Sequence, residues 1–323
     1  MPELPQSIID TNSSNTEKVN YVFMDGEYVP YENAKISVRT HAFLYGTSVF
    51  EGIRGYWNEE EKQVYIFRMR EHYERIHNSC KIMHMTPKYS VDEMCNITTE
   101  LMKKNAPETD TYMRPTIYKS AEVVGPKLIN NIDSFLIFTT PLGNYVDISK
   151  GLSVCVSNWR RTDDNAIPPR AKIGGCYANT ALIITDAIKA GFDEAIVLSH
   201  DGHVTEGSAM NLYLVENGKL ITTKTTDNIL VGITRNTVKE IALRELGIEV
   251  IEREIDRTEL YITDEAFFCG TGAQISPITS IDHRLVGDGQ VGPITKKLQN
   301  LYFDIVKGKV EKYKNWCTPV YDN

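Results

Sequence analysis

Three dipeptides constrain the fold of this chain more than any other feature, because each of them predicts a tight β-hairpin. Apolar, strand-like segments flank all three, which are Asp25-Gly26, Asp201-Gly202 and Asn217-Gly218. The preferred two-residue hairpin turns require positive φ angles, which aspartate, asparagine and glycine adopt with the least strain. Three such hairpins predict a substantial antiparallel sheet and argue against a doubly wound parallel one.

Between the predicted strands, apolar residues recur three or four positions apart, which is the spacing of an amphipathic helix. The segments with this pattern are 70–83, 91–105, 178–190, 234–246 and 293–306. Gly247 follows the fourth segment and suits a left-handed helix cap, and Pro293 suits the first turn of the last one. The sequence therefore predicts an α+β fold.

The domain organisation is predicted from length and turn content. At 323 residues the chain is long for one hydrophobic core, so two domains are expected. Residues 1–18 are rich in Ser, Asn and Thr without periodicity, which predicts a flexible N-terminal leader. We expect a small N-terminal domain over 19–140, a turn-rich linker over 141–150 and a large C-terminal domain over 151–323.

Charge and composition argue against several classes of function. The chain carries 35 basic and 43 acidic residues and no basic patch with interleaved aromatics, so no nucleic-acid partner is expected. No apolar run approaches the roughly 20 residues that span a bilayer, so no membrane partner is expected, and the N-terminus lacks a signal-peptide pattern. The six cysteines are scattered without metal-ligand spacing, which predicts reduced thiols, no metal site and a cytoplasmic location.

A lysine, a carboxylate and two small-residue turns follow one another in the second half of the sequence. Lys172 lies in the segment 170–177, Glu206 lies in a Thr-Glu-Gly sequence, and the turns are Gly232–Arg235 and Gly270–Gln274. An amine can form a Schiff base, a carboxylate can pair with a pyridine nitrogen, and backbone N–H groups with hydroxyls can bind a phosphate. In this order, the set predicts a site for pyridoxal 5'-phosphate (PLP).

The residues around Lys172 suit an amine that has to be neutral before it can attack a carbonyl. Ala171, Ile173 and two glycines leave close, largely apolar walls, which favour the neutral form of an amine. Tyr177 could donate its hydroxyl to the phenolate oxygen of the cofactor, or it could simply begin the following helix. The sequence leaves both interpretations of Tyr177 open.

Beyond these single features, the sequence resembles the branched-chain amino acid aminotransferases, which are class IV, fold-type IV PLP enzymes. The resemblance extends from about residue 21 to residue 296. It rests on blocks that occur in the family's order: Tyr45–Arg54, Phe67–Arg75, Tyr112–Pro115, Arg170–Tyr177, Glu206–Asn211, Gly232–Arg235 and Gly270–Pro277. The resemblance implies two α/β domains with largely antiparallel sheets and the cofactor at the domain interface.

The resemblance also implies roles for individual residues at the cofactor. Lys172 matches the catalytic lysine that forms the Schiff base and carries the proton. Glu206 matches the partner of the pyridine nitrogen, and Tyr177 matches the residue that hydrogen-bonds the cofactor oxygen. The positions that match phosphate contacts are Arg75, Ile233, Thr234 and Thr271.

Other matching positions belong to the substrate pocket of the family. Gly272 and Ala273 would offer backbone N–H groups to the α-carboxylate, with help from Tyr112. Arg114 resembles the arginine that receives the distal carboxylate of glutamate. The remaining positions are Phe50 and Tyr45, which match pocket walls, and Arg54, which either helps to bind substrate charge, the interpretation that we favour, or has a structural role. Because a neighbouring subunit completes the site in this family, we expect a homo-oligomer, at least a dimer, with a hexamer as the alternative.

The function that the resemblance implies is PLP-dependent transfer of the amino group of L-leucine, L-isoleucine or L-valine to 2-oxoglutarate. Three alternatives share parts of the pattern: a transaminase of D-amino acids or (R)-amines, an aminodeoxychorismate lyase, and a PLP-binding protein without catalysis. One position departs from the family, because Leu142 stands where relatives often carry a tryptophan. This difference bears on the side chains that the pocket prefers and leaves the cofactor chemistry unaffected.

Overall fold

The computed structural model describes residues 21–143 and 150–322. The predicted leader over 1–18 lies outside the described residues, as does most of the predicted linker over 141–150. In chain order the strands are β1 (Tyr21–Met24), β2 (Glu27–Pro30), β3 (Ser48–Phe50), β4 (Ile53–Asn58), β5 (Gln63–Phe67), β6 (Thr111–Lys119), β7 (Asp133–Pro141), β8 (Leu152–Arg160), β9 (Glu194–Leu198), β10 (Val204–Gly207), β11 (Asn211–Glu216), β12 (Lys219–Thr222), β13 (Val250–Glu252), β14 (Glu265–Gly270), β15 (Gln274–Ile281), β16 (Arg284–Leu285) and β17 (Cys317–Pro319). The helices are α1 (His41–Tyr45), α2 (Met69–Ile82), α3 (Val91–Asn105), α4 (Tyr177–Lys189), α5 (Ile233–Leu246) and α6 (Pro293–Val306).

The strands form two sheets. The 8-stranded sheet has the order β17-β5-β4-β6-β7-β1-β2, with β3 on β6, and its pairings are antiparallel. The 9-stranded sheet has the order β10-β9-β8-β15-β14-β11-β12-β13, with β16 on β15. Its pairs β8–β9, β8–β15 and β12–β13 are parallel, since long connections such as the one through α4 return the chain in the same direction. The predicted α+β fold with largely antiparallel sheets is confirmed.

All three predicted hairpins are present, although one has a wider turn than predicted. The residues of Asp25-Gly26, between β1 and β2, and of Asn217-Gly218, between β11 and β12, have positive φ angles. The loop around Asp201-Gly202 is wider because the Asp201 carboxylate accepts hydrogen bonds from the Ser199 hydroxyl and the His203 N–H. A side chain thus replaces part of the backbone bonding that closes a two-residue turn.

Helices α2 to α6 follow the predicted segments to within a residue at each end, whereas the short α1 was not predicted. α3 begins after Ser90, whose hydroxyl forms a capping box with the side chain of Glu93. α5 ends at Gly247, which adopts the left-handed conformation with φ 64°. α2 and α3 pack on the first sheet, while α5 and α6 pack on the second. None of the helices in the described segments has the length and apolar character that crossing a bilayer requires.

The two sheets are joined close to Lys172. Phe50, at the end of β3, donates its N–H to the Lys172 carbonyl oxygen at 3.0 Å. Val49 forms an isolated antiparallel bridge with Ile173 on the other side of the same contact. The last strand, β17, returns from the second sheet to pair with β5 in the first. The lysine segment is therefore held against the first sheet by backbone hydrogen bonds.

Candidate active site

A cavity of about 300 Å³ opens between the two sheets, next to the backbone contact that joins them. Its wall combines β3 and β6 of the first sheet with the segment before α4, the strand β10, the start of α5 and the turn after β14. Most of the predicted site residues line it: Phe50, Arg75, Tyr112, Arg114, Lys172, Tyr177, Glu206, Ile233, Thr234, Thr271, Gly272 and Ala273. The fold thus gathers side chains that are far apart in the sequence.

Lys172 is held by its backbone and has its amine directed towards two aromatic side chains. Its N–H donates to Ser79 Oγ on α2 at 3.2 Å. Its Nζ lies 2.7 Å from Tyr177 Oη and 5.0 Å from the centre of the Phe50 ring. Tyr177 is also the first residue of α4, so both interpretations of this residue apply: it begins the helix and contacts the amine.

Glu206 places a buried carboxylate at the cavity. It lies on β10 and is 2% exposed. Its Oε1 is 2.5 Å from Arg161 Nη2 and accepts the N–H of Leu230 at 3.4 Å, while its Oε2 accepts from Asn211 Nδ2 at 2.9 Å. Burial raises the pKa of Glu206 above its usual value, and the positive charge of Arg161 opposes that rise.

Arg161 is a cavity residue that the sequence analysis missed. Besides contacting Glu206, its Nη1 donates to the Ser208 carbonyl oxygen at 3.1 Å, and its side chain is 8% exposed. It stands directly after β8, beside Arg160 and outside the recognised blocks, so no spacing marked it. β8 and β10 flank β9 in the same sheet, and this arrangement brings Arg161 to Glu206.

Arg75 reaches the cavity from α2 and is fixed by a carboxylate behind it. Its Nε and Nη2 donate to the two oxygens of Glu51 at 2.6 and 2.7 Å, and its Nη1 donates to the Val231 carbonyl oxygen at 2.9 Å. His72 Nδ1 lies 2.6 Å from Glu51 Oε2. Although burial alone would raise the pKa of Glu51, the charges of Arg75 and His72 hold it well below its usual range.

Glu51 and His72 are therefore functional residues that had a signal in the sequence but no assigned role. Both lie inside blocks that carried the resemblance, one before Arg54 and the other before Arg75. The fully buried Glu51 side chain uses both oxygens on Arg75, a bidentate arrangement that fixes the plane of a guanidinium. Glu51, itself contacted by His72, thus keeps the guanidinium of Arg75 in place at the cavity.

The start of α5 and the turn after β14 supply backbone N–H groups to the same cavity. No side chain caps α5, and Gly232, Ile233 and Thr234 line the cavity at its first turn. A helix N-terminus with free N–H groups favours an anion. A Cβ at Gly232 would lie 2.1 Å from Asn211 Oδ1, so this close approach requires glycine.

Arg114 differs from the other two arginines of the cavity in having no carboxylate partner. Its Nε donates to Tyr112 Oη at 2.9 Å, and its guanidinium lies 4.2 Å from the centre of the Phe50 ring. Within residues 21–143 and 150–322, no ion pair and no further hydrogen bond engages its Nη groups. A Cβ at Gly52 would lie 2.5 Å from Tyr112 Oη, so glycine there makes room for the tyrosine.

Two predicted site residues lie elsewhere in the single chain. Tyr45 is at the end of α1, 38% exposed, and its Oη accepts the N–H of Gly125 at 2.8 Å, so it does not line the cavity. The expected position of Tyr45 in a pocket wall is thus not found within one subunit. Its exposure follows from α1, which projects from the first sheet.

Arg54 is buried and does not line the cavity, which favours the structural interpretation of this residue over contact with substrate charge. Its Nη2 donates to the carbonyl oxygens of Leu142 and Gly143, both at 2.8 Å, and its Nη1 reaches the Gly272 carbonyl oxygen at 3.4 Å. The guanidinium is therefore occupied by backbone acceptors of two loops that border the cavity and by the Asp110 carboxylate, whose Oδ2 lies 3.4 Å from Nη2. Leu142, the residue that departs from the family, does line the cavity.

Comparisons with known proteins agree with this geometry. The model of the amino-transferase class IV family matches residues 48–281. A probable branched-chain-amino-acid aminotransferase of Aquifex aeolicus is 47% identical over 94% of this chain and 98% of that protein.

Solved structures of this group are similar along their whole length. The branched-chain aminotransferase of Thermoproteus uzoniensis with norvaline is 42% identical, with a TM-score of 0.89 over 93% of this chain and 99% of that one. The branched-chain amino acid aminotransferase of Thermobaculum terrenum in its PLP form is 37% identical, with a TM-score of 0.91 over 95% of this chain and 100% of that one. The chain therefore belongs to the class IV aminotransferases, within the group of the branched-chain-amino-acid aminotransferases.

Proposed function

We propose that this protein is a PLP-dependent aminotransferase that moves the amino group of L-leucine, L-isoleucine or L-valine to 2-oxoglutarate. The observation that carries the proposal is the arrangement of Lys172, Glu206 and Arg75 around one cavity. It provides an amine, a buried carboxylate and a fixed guanidinium. The similarity to enzymes of this activity, one with norvaline and one in its PLP form, supports the same conclusion.

The residues present fit PLP at each of its polar groups. Arg75 and the uncapped start of α5 would bind the phosphate, with Thr234 and Thr271 adding hydroxyl donors. Glu206 would pair with the ring nitrogen, and Tyr177 would hydrogen-bond the ring oxygen. When bound, PLP supplies an electron sink and a carrier for the amino group.

Within this site, the chain's own side chains divide the work of proton transfer and orientation. The amine of Lys172 would hold the cofactor at its carbonyl carbon and would serve as the carrier of the proton of the substrate α-carbon. Tyr177 Oη, at 2.7 Å from Lys172 Nζ, holds the amine in position for that transfer. Arg54 keeps the Leu142–Gly143 and Gly272 loops in place, which we assign as a supporting role rather than contact with substrate.

A transaminase pocket has to accept both an apolar and an acidic side chain. The ring of Phe50 and the side chains of Tyr112 and Leu142 would contact the branched aliphatic chain. The free Nη groups of Arg114 would receive the distal carboxylate of glutamate or 2-oxoglutarate. The N–H groups of the Gly272-Ala273 turn would bind the α-carboxylate of either substrate.

A second copy of the chain is the proposed source of the missing pocket wall. α1 and the loop that follows β6 expose large apolar side chains next to Tyr45, including Phe43 at 68% and Val124 at 85% exposure. Contiguous apolar exposure of this kind is typical of an interface. We propose at least a homodimer, with a hexamer as the alternative, in which Tyr45 approaches the cavity of the partner. Light scattering should give a dimer or larger, and Phe43→Asp should lower the mass.

The domain boundaries and the cellular location are further parts of the proposal. The two sheets, each with its own helices, support a small domain over 19–140 and a large one over 151–323. β17 is the exception, because it belongs to the second segment but pairs with β5 in the first sheet. The described cysteines are free, which suits the reducing cytoplasm as the location of the protein. Limited proteolysis near residues 141–150 would test the domain boundary.

One observation favours a second candidate, a transaminase of (R)-amines or D-amino acids. Leu142 lines the cavity at a position where relatives often carry tryptophan, and a smaller wall could admit a bulkier donor. Activity with an (R)-amine or D-alanine that exceeds activity with L-leucine would establish this alternative. Release of pyruvate from aminodeoxychorismate without a keto-acid acceptor would instead establish the lyase.

The test of the proposed function is the absorbance spectrum of the purified, PLP-loaded protein. L-Leucine should shift the cofactor band, and 2-oxoglutarate should restore it. Lys172→Ala should lose turnover and the lysine-linked band while keeping the fold, and Lys189→Ala, an exposed lysine on α4, should behave as the wild type. Near-normal turnover by Lys172→Ala would overturn the site assignment, and no response to L-leucine would overturn the substrate.

A further inference from the structure

The Arg161–Glu206 contact carries an inference beyond the proposed function. Arg161 comes from the end of β8 and Glu206 from β10, so β9 lies between their strands in the sheet. The two side chains are 8% and 3% exposed, and 2.5 Å separates Nη2 from Oε1. Close geometry and further hydrogen bonds, such as the one from Arg161 Nη1 to the Ser208 carbonyl oxygen, help to offset the desolvation of a buried pair of this kind.

The acceptor positions of Glu206 are almost used up by its neighbours. A carboxylate offers about four lone-pair positions. Arg161 Nη2 and the Leu230 N–H approach Oε1, and Asn211 Nδ2 approaches Oε2 at 2.9 Å. With these donors in place, about one acceptor position remains. Because Glu206 lines the cavity, this position is available to a ligand.

The charges around Glu206 differ in how directly they act on it. Burial favours its neutral form, and Arg161, Lys172 and Arg235 oppose that tendency, with Arg161 the strongest. Arg75 also faces it from α2, and the buried Cys269 thiol faces it from β14.

Only Arg161 among these cations contacts the carboxylate. Arg235 is occupied elsewhere, since its Nη2 lies 2.7 Å from the Thr223 carbonyl oxygen and 2.9 Å from Glu252 Oε2. Lys172 Nζ contacts Tyr177 instead. The ionisation of Glu206 therefore depends on Arg161 more than on any other side chain that faces it.

We propose that Arg161 is a positioning residue that holds the Glu206 carboxylate ionised and leaves one of its acceptor positions directed at the ring nitrogen of PLP. This inference rests on the proposed function, because it assigns Glu206 to that nitrogen. A carboxyl group and a pyridine in contact share one proton. The positive charge of Arg161 beside Glu206 favours the arrangement in which the ring nitrogen carries the proton and the carboxylate is ionised.

The size of the effect follows from the influence of one adjacent charge. An opposite charge in contact lowers a carboxyl pKa by about 1 to 3, so its loss changes the partition of the shared proton by the corresponding 10- to 1000-fold. Without Arg161, the proton moves to Glu206 and the ring nitrogen becomes neutral. A neutral ring withdraws electrons less effectively, so kcat falls more than KM rises.

The experiment measures the position of the proton directly, by ¹⁵N NMR of the protein loaded with PLP labelled at the ring nitrogen. The wild type should give the shift of a protonated pyridine at neutral pH. Arg161→Gln should move that shift towards neutral pyridine and weaken PLP binding by roughly tenfold or more. Arg160→Gln is the matched control, since it makes the same change at the adjacent, exposed arginine.

The outcomes separate this inference from the proposed function. A protonated nitrogen in both the wild type and Arg161→Gln would overturn the role of Arg161 and leave the proposed function standing. No PLP binding by the wild type would overturn both. If Arg161→Gln does not fold, Arg161→Lys decides: it keeps the charge without the guanidinium fork, so it should keep the protonated signal and still bind PLP more weakly. A neutral ring nitrogen in Arg161→Lys, despite the retained charge, would overturn the inference.

Discussion

Two buried pairs of arginine and glutamate border the cavity, and they present opposite charges to it. In one pair, both oxygens of the fully buried Glu51 are taken up by Arg75, and Arg75 is the member that lines the cavity. In the other, a single nitrogen of Arg161 contacts Glu206, which keeps an acceptor position for a ligand. We propose that the same two residue types form an anion site in one pair and a site for a protonated nitrogen in the other.

The two pairs differ in how many hydrogen-bonding positions remain free on the residue that lines the cavity. Arg75 has five N–H groups, and Glu51 with the Val231 carbonyl engages three of them, so two remain. For Glu206, the contacts with Arg161, Asn211 and Leu230 leave about one acceptor position. A fixed charge with unused bonding capacity needs no reorganisation when the ligand arrives.

We expect the largest effect from breaking the pair of Arg75 and Glu51. Arg75→Met leaves Glu51 buried without its cation, which should lower the free energy of unfolding by about 3 to 5 kcal/mol, and it removes the proposed phosphate contact. Arg70→Met is the control, because Arg70 lies on the same helix with a 57% exposed side chain and an ion pair to Asp92. Surface pairs of that kind contribute about 0 to 1 kcal/mol. Equal losses in urea unfolding would show that Glu51 does not depend on Arg75.

The next effect extends the comparison to Arg114, which has no carboxylate partner among the described residues. If the free Nη groups of Arg114 bind a substrate carboxylate, Arg114→Ala removes a charged hydrogen bond worth about 1.5 to 3 kcal/mol. We expect kcat/KM for L-glutamate and 2-oxoglutarate to fall by roughly 10- to 100-fold, in line with that energy. L-Leucine serves as the internal control, since its side chain has no charge. Equal losses for glutamate and leucine would exclude a role in binding the distal carboxylate.

The two glutamates should also respond to pH with opposite signs in the cofactor-free protein. Folding lowers the pKa of Glu51, so its contribution is complete above the unfolded value of about 4.3 and is lost as pH falls. Folding raises the pKa of Glu206, so its ionisation costs stability increasingly as pH rises above about 4.3. Urea unfolding between about pH 2.5 and 7 measures both, because Glu51 responds mainly below about pH 4.3 and Glu206 responds above it. As pH rises, Glu51→Gln should become less stable than the wild type, and Glu206→Gln more stable; slopes of the same sign would contradict this.

The elements of the fold were predictable because local signals determine them. Segment 91–105 has a helical apolar spacing and a capping box, and Asn217-Gly218 selects its own turn. β17 had no such signal, since Cys317–Pro319 is short and pairs with β5 from the other end of the chain. Non-local pairing of this kind is set by packing rather than by the local pattern.

The residues of the candidate site likewise divide into those that a local sequence pattern indicated and those that only the contacts between segments reveal. Lys172 and Glu206 stand in recognisable surroundings, whereas Arg161 gains its importance only from a contact across the sheet. Arg54 was placed at the substrate because it ends a recognised block, yet almost the whole of β4 is buried, so no alternation indicated which way the residue faces. The geometry between segments, rather than the residues themselves, was the missing information.

The smallest expected effect concerns Ser79, which connects the Arg75 pair to the lysine segment. Its Oγ donates to the Arg75 carbonyl oxygen at 3.1 Å and accepts the Lys172 N–H at 3.2 Å. Ser79→Ala removes both bonds and should lower the free energy of unfolding by about 1 kcal/mol. Thr99→Ala is the control, because it removes a hydroxyl bond to the Cys95 carbonyl oxygen within α3, away from the cavity.

The two variants differ in what they do to Lys172. Ser79→Ala should also slow the reaction of the cofactor-free protein with PLP, since the Lys172 N–H loses its acceptor, whereas Thr99→Ala should change stability alone. Stopped-flow absorbance measures that rate. If both variants react with PLP as the wild type does, then the backbone contacts with Phe50 and Val49 suffice to position Lys172. The arginine pair and the lysine would in that case be independent, and the two ends of the cavity could be altered separately.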